Sequence, residues 1–411
     1  MSDDEADRTL LAHLGAALIG AGQPVNEVEE DLLEVGRAMG HPDTQIAAAP
    51  TGVTLSLGVG LSATFARNPG TLRLDQASEV REIRHLLSRR KLDHAQAMER
   101  LLALRSQPGL YPTWLASLAW VICSAGIALI LQPVWTSVLV AALGGAAVVI
   151  LVRLTERVPL LATLLPVLAA FVVAAMVFAA TQRGYVEAPL RTLLAPLAIL
   201  FPGALIVTAM AELVSSQMVA GTSRLGYGLV QTLLFTLGIV LASRVFPLTS
   251  EQLSNVRLDD IGWYAAPLGL LLVTAAIGLL ESPPPRLLPW ILLVLVLAFV
   301  AQVVGQQLAG AVGGAFLGAL VATLGSYTVE LVRPRLARLV VFLPSFWLLV
   351  PGSLGVLAAT QVAVDPSAEA DVSGVVGIVA ALALGLLLGS AIAQMIGGLL
   401  RRGQVRPHAT S

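Results

Sequence analysis

Two proline–glycine pairs, Pro202-Gly203 and Pro351-Gly352, stand inside long apolar runs of the sequence. Proline removes a backbone donor and clashes with the preceding turn, and glycine loosens the chain beside it, so each pair predicts an interrupted helix. A helix that restarts after such a break presents unpaired amides and about half a positive charge, a seat for a carboxylate or another anion. Glu212 follows Pro202 by ten residues, about 15 Å along a helix. An ionisable group within an apolar run is a functional candidate by default, here as carrier of a proton, with pairing to Arg224 as the structural alternative. Thr208, Ser215 and Ser216 add hydroxyls to the same stretch, and Gln361 stands to Pro351 as Glu212 stands to Pro202. Gln302 and Gln306, one helical turn apart, supply amides for a solute or for a neighbouring helix. This is chemistry for binding a small polar solute and moving a proton. Bond-breaking chemistry lacks its parts: there is no Gly-x-Ser-x-Gly elbow and no Gly-x-x-x-x-Gly-Lys nucleotide loop. His13, His41, His85 and His94 are scattered without metal-ligand spacing, and the chain has one cysteine, Cys123. Neither an enzyme, a cofactor nor a metal is expected.

The elements that must position these residues are membrane spans. The 411 residues are 56% hydrophobic and only 12% charged, with mean hydropathy +0.82, against about 25% charged residues in a soluble domain. Of the 51 Asp, Glu, Lys and Arg, 26 fall in residues 1–113, which predicts a soluble head (1–113) before a membrane body. Net charge is −1, without a basic patch interleaved with aromatics, so nucleic acid is not an expected partner.

In the head, Leu10, Leu11, Leu14, Leu18 and Ile19 recur at helical spacing before Gly20, and Val25, Val28, Leu32, Leu33 and Val35 before Gly40. Residues 45–58 and 61–67 suit a strand pair. Residues 75–90 and 93–105 return to helical periodicity, Asp75 and Asp93 each standing at an expected N-cap. The head is thus α+β. Glu27, Glu30 and Glu34 share a helix face opposite Val28, Leu32 and Val35, which reads as a solvated surface. Arg81, Arg84, Arg89, Arg90 and Lys91 precede the first span and are expected at anionic lipid headgroups. The N-terminus lacks the basic and apolar regions of a secretory signal, which places the head in the cytosol.

About ten stretches are long enough to cross about 30 Å of hydrocarbon: 114–131, 135–153, 158–180, 191–219, 225–246, 260–280, 286–307, 309–331, 339–363 and 373–400. With a cytosolic head, ten arginines of the body fall on the inner side and four (Arg183, Arg191, Arg244 and Arg257) on the outer, as the positive-inside rule requires. Both termini then lie in the cytosol. Pro202 and Pro351 are 149 residues apart, each in the fourth span of a set of five. The reading is therefore a mainly α-helical integral membrane protein of two five-span repeats, 114–250 and 251–403, with a disordered tail at 404–411. Because five is odd, the repeats have inverted topology, an arrangement that builds alternating-access transporters. Gly144-Gly145, Gly310, Gly313-Gly314 and Gly318 read as close helix packing.

Leu-Gly-Ala-Ala-Leu-Ile-Gly-Ala-Gly-Gln-Pro-Val-Asn-Glu-Val-Glu at 14–29, Ala-Pro-Thr-Gly-Val at 49–53, and the run from Phe201-Pro202-Gly203 through Ala211-Glu212-Leu213-Val214-Ser215 to Ala220-Gly221-Thr222-Ser223-Arg224-Leu225 resemble the threonine/serine exporter family. The likeness covers nearly the whole chain. It implies a cytosolic N-terminal domain, about ten spans, and export of threonine and serine driven by the proton gradient across the inner membrane; in a related split form, two chains handle a dicarboxylate. Carried over by position, the family pattern falls on Pro202, Gly203, Glu212, Gly221 and Arg224. Glu212 stands where the family usually has aspartate, and Ser216-Gln217 where Gly-Asp is frequent. The expected function is proton-coupled export of small amino acids, with export of a dicarboxylate such as succinate, or a non-transporting membrane scaffold, as alternatives. The expected partners are the solute, protons, lipid and a second copy of the chain.

Overall fold

The computed structural model describes residues 3–68, 70–249, 252–253, 257–332, 341–342, 344–345 and 372–404. In the head, α1 (Asp3–Gly20) and α2 (Val25–Met39) are followed by β1 (Gln45–Ala49), β2 (Gly52–Ser56) and β3 (Ala63–Arg67), then α3 (Leu74–Ser88) and α4 (His94–Ala103). The second half of α1, from Leu10 to Gly20, is buried apart from His13 because α2, α3, α4 and the sheet all pack around it. Gly40 ends α2 at φ 103°, a left-handed cap that glycine adopts without penalty.

The sheet is antiparallel in the order β1-β2-β3. The predicted strand pair is thus three strands: residues 45–58 double back between Ala49 and Gly52, which pair across the turn. Asn68 clamps that turn, its N–H donating to Thr51 O at 2.8 Å and its side chain to Pro50 O at 2.9 Å. Asp93 caps α4 by accepting from the Ala95 N–H, but the cap of α3 lies two residues before Asp75, at Arg73, with Gln76 Oε1 accepting from the Arg73 N–H at 3.0 Å. Asp75 instead pairs with the Arg73 guanidinium.

The body comprises α5 (Thr113–Leu131), α6 (Trp135–Arg157), α7 (Pro159–Gln182), α8 (Pro189–Leu197), α9 (Gly203–Val214), α10 (Met218–Val245), α11 (Ala265–Glu281), α12 (Leu288–Val332) and α13 (Val372–Gln404). Six helices among the described residues are long and apolar enough to cross a membrane, with α9 and α11 as shorter apolar helices. Leu139, Leu143, Ile150, Leu233, Leu237, Leu241, Leu293 and Leu297 are exposed along these helices, which fits hydrocarbon as their solvent.

Helix α12 is two antiparallel arms, 288–308 and 311–332. Gly310 turns the chain at φ 64° and ψ −162°, and Gly305 then lies against Gly313, Gln302 against Gly314, and Val294 against Gly325. Gly310 is therefore the hairpin tip; the expectation that it serves close packing is corrected, because only a residue without Cβ takes this backbone readily. Gly144 and Gly145 do pack closely, a Cβ at Gly145 falling 2.4 Å from Ser124 Oγ on α5 and one at Gly144 falling 3.0 Å from Pro196 on α8.

One close approach occurs twice. A Cβ at Gly238 of α10 would lie 2.4 Å from Val167 O, 2.8 Å from Ala170 Cβ and 2.9 Å from Phe171 N on α7. At Gly385 of α13 the same atoms recur: Phe316 O at 2.6 Å, Ala319 Cβ at 3.0 Å and Leu320 N at 3.1 Å, on the second arm of α12.

The head sits at one end of the body, touching the α9–α10 turn, the end of α11 and the end of α12. At the other end, Pro133 O accepts the N–H groups of Asp260 and Ile261 at 3.1 Å, and Gln182 Nε2 donates to Pro247 O.

Candidate functional site

The stretch from α8 to α10 is broken where the proline–glycine pair predicts. Helix α8 stops at Leu197, residues 198–202 form a turn, and α9 restarts at Gly203 with Pro202 as its cap residue. The interruption runs back from the pair itself: the Leu200 N–H donates to Leu197 O at 3.0 Å, and the first helical bond of α9 is Ile206 N–H to Pro202 O. The amides of Gly203, Ala204 and Leu205 thus have no partner within the helix. Phe201 packs on Phe235 of α10, ring centroids 5.8 Å apart, and holds the break against the first half of the body. Val207 faces the second half, in a cluster with Ala298, Ala315, Ala319 and Ala322 of α12 and Ile378, Ala381 and Leu382 of α13.

Along α9 the stripe Ala204, Thr208, Ala211, Ser215 opens on a cavity of about 310 Å³, a volume suited to a small ligand. Thr323 and Tyr327 of α12, and Ser390 and Gln394 of α13, contribute polar groups, and Phe342 and Leu386 apolar walls. Its remaining wall belongs to the head: Gly22, Pro24, Asn26, Glu27 and Glu30.

Glu212, on the neighbouring face of α9, is fully buried. Its Oε1 lies 3.1 Å from Arg224 Nη1 on α10 and accepts the Val25 N–H at 3.1 Å. Its Oε2 is buried and has no hydrogen-bond partner among the described residues. Arg224 is 8% exposed, so both charges of the pair are removed from water. Gly221 makes this possible: a Cβ there would fall 2.8 Å from Ala209 O and 2.9 Å from Leu213 N, so glycine lets α10 lie directly on α9.

The structure thus gathers Pro202, Gly203, Thr208, Glu212, Ser215, Gly221 and Arg224 on two adjoining helices. Gln302 and Gln306 lie elsewhere, near the hairpin tip of α12 with Gln306 exposed. Pro351, Gly352 and Gln361 lie outside the described residues, as do 405–411 of the predicted tail.

Glu30 and Glu34 are exposed, as the solvated-face reading expects, but the same face also makes contacts: Glu27 and Glu30 line the cavity, Glu29 accepts from the Ala48 N–H and from Gln217 Nε2, and Glu34 pairs with Arg84. Helical periodicity showed only that this face points away from the head's own core, not that a cavity opens beside it. Arg81 and Arg84, expected at lipid headgroups, are occupied by Asp31 and by Glu330 and Glu34. The run at 14–29 includes Asn26 and Glu27 without assigning them to a cavity, and no motif marked Tyr327, Ser390 or Gln394, since only folding brings α2, α12 and α13 against α9.

Long apolar helices with exposed leucines, closed at one end by a polar head and holding a cavity beside a broken helix, define a multi-span membrane protein. A family model described as "Putative threonine/serine exporter" matches residues 9–246. The chain belongs to that family. No curated protein and no solved structure matches it.

Proposed function

We propose that this protein is a secondary exporter of small amino acids, L-threonine and L-serine, driven by the proton gradient. The observation that carries this reading is the broken helix itself: Pro202-Gly203 starts α9 between the two halves of the body, and the α9 stripe lines a polar cavity of about 310 Å³. The free amides after the break suit the solute carboxylate, and Thr208 and Ser215 suit its hydroxyl and ammonium. Glu212 carries the proton, and its Oε2, without a partner among the described residues, is the place for it.

The body reads as about ten spans in two inverted five-span repeats. In support, α7 packs on α10 as the second arm of α12 packs on α13, through the same atoms. Val167, Ala170 and Phe171 precede Phe316, Ala319 and Leu320 by 149 residues, the spacing of Pro202 and Pro351. The repeat makes Pro351, Gly352 and Gln361 the counterparts of Pro202, Gly203 and Glu212. Both termini lie on the cytosolic side of the inner membrane, consistent with the arginine distribution and with the head touching the three connections assigned to that side.

The test is efflux of labelled threonine, serine and succinate from proteoliposomes, with and without a proton gradient, for the natural chain, Gly203→Leu and Glu212→Gln. Gradient-driven release of threonine or serine, lost in both variants, is expected. Release of succinate alone would replace the amino acid with a dicarboxylate, and unchanged flux in Glu212→Gln would remove that residue from coupling.

A further inference from the structure

The head meets the body through two dissimilar contacts. On one side Ala21, Leu74 and Ala77 belong to the same apolar cluster as Ala119 and Cys123 of α5 and Ile277 of α11, with a hydrogen bond on this axis from the Leu74 N–H to Glu281 at the end of α11. On the other side the contact is polar. The Val25 N–H, at the first position of α2, donates to Glu212; Gln217 Nε2 donates to Glu29 Oε2 at 3.2 Å; and Arg81 joins Asp31 of α2 to Glu330 at the end of α12. The apolar core of the head otherwise contains only head residues.

This polar side is where the cavity lies. The α1–α2 corner and the first turns of α2 form its head-side wall, while the opposite walls come from α9 in the first half and α12 and α13 in the second. The head therefore bridges the two halves that an alternating-access cycle must separate. An apolar contact holds its area through small rotations, whereas a few directional hydrogen bonds break as a set. One edge is thus built as a pivot and the other as a catch.

We propose that the head is the cytosolic gate of the cavity: it turns on the Ala21–Leu74–Ala77 contact and is latched by Val25 to Glu212, Glu29 to Gln217 and Arg81 to Glu330. The inference rests on the transport reading, with the cavity as the solute site. Because Val25 donates to the same oxygen that faces Arg224, the latch and the ion pair of α9 and α10 share one acceptor. A change at Glu212 is then felt by the head directly.

Two experiments test this. Glu29 and Gln217 meet tip to tip, so a Glu29→Cys/Gln217→Cys variant is bridged with a short reducible bis-thiosulfonate; Cys123 is buried in α5 and stays unreactive. Bridging is expected to cut efflux at least tenfold, with recovery on reduction. Separately, Ser390→Cys reports access to the cavity through labelling by a water-soluble maleimide in detergent, read by peptide mass. Adding Val25→Pro deletes the latch donor at a helix position that favours proline, and Pro24 already has the extended backbone required before one (φ −59°, ψ 146°). Labelling at position 390 should rise several-fold. Bridged protein that transports at the reduced rate, or labelling that Val25→Pro leaves unchanged, overturns the gate. If Val25→Pro opens position 390 but neither bridged nor reduced protein moves threonine, serine or succinate, the gate stands and the transport reading fails.

Discussion

Arg224 Nη1 stands 3.1 Å from Glu212 Oε1, and both side chains are buried. That oxygen also receives the Val25 N–H, so a single carboxylate atom joins α9, α10 and the head. Seven candidate residues of the 201–225 run lie on these two helices or at their ends, from the break at Pro202 to the arginine itself.

Removing one member of a buried pair leaves the other charge uncompensated, at a cost of about 3–5 kcal/mol, whereas removing both costs far less. Arg224→Met should therefore lower thermal stability in detergent strongly. The double variant Glu212→Gln/Arg224→Met should recover most of the loss, because the Gln amide oxygen still accepts from Val25. A double variant as unstable as Arg224→Met would mean that packing of the guanidinium stem, not charge, holds α9 to α10.

Gly221 works by having no side chain. Gly221→Val forces a branched group toward the Ala209 carbonyl and the Leu213 amide, and overpacking of this kind costs about 1–3 kcal/mol. The midpoint of thermal unfolding should fall, and efflux should fall with it as Arg224 moves off Glu212. Full efflux from a destabilised protein would separate the helix contact from the transport site.

Gly238 and Gly385 should respond alike. Gly238→Leu and Gly385→Leu each drive a side chain into a backbone carbonyl of the facing helix, and each is expected to reduce stability by about 1–3 kcal/mol. Matched melting shifts would support equivalent packing in the two halves; one silent variant would show that the second contact is looser than its geometry.

Gly310 and Gly226 separate conformation from space. A Cβ meets nothing within 4 Å at either, but Gly310 has φ 64° and Gly226 lies inside α10. Gly310→Ala should cost about 1–3 kcal/mol through backbone strain, while Gly226→Ala should gain up to about 1 kcal/mol of helix propensity. The two melting shifts should have opposite signs.

Much of the fold is legible locally. Leucine and valine spacing in 10–35 places α2 and the end of α1, although α1 starts at Asp3, seven residues before Leu10; Gln132-Pro133 falls where the apolar runs had been divided, and the turn at Ala309-Gly310 falls just past a later division. Pro202-Gly203 marks a true break because loss of a backbone donor is a property of the residue and needs no neighbour. The cap of α3 falls two positions before Asp75 because Gln76 accepts from the Arg73 amide, and two side chains in one turn cannot be ranked from type alone. The β1–β2 turn was missed because Pro50-Thr51 is held by Asn68, a partner seventeen residues downstream of Thr51.

By itself the sequence determined that the chain is a membrane protein with a charge-rich head, where α9 begins, and that Glu212 and Arg224 are the charges of the apolar 201–225 run. These follow from hydropathy, from proline and glycine geometry and from the cost of charge in an apolar run, all of which act within a few residues. Only the tertiary structure decided that Glu27 and Glu30 border a cavity, that Arg81 reaches Glu330 across 249 residues, and that Gln302 and Gln306 stand away from the site. Periodicity tells which face of a helix avoids its own core. What covers that face depends on packing between elements distant in the chain, and no local pattern encodes it.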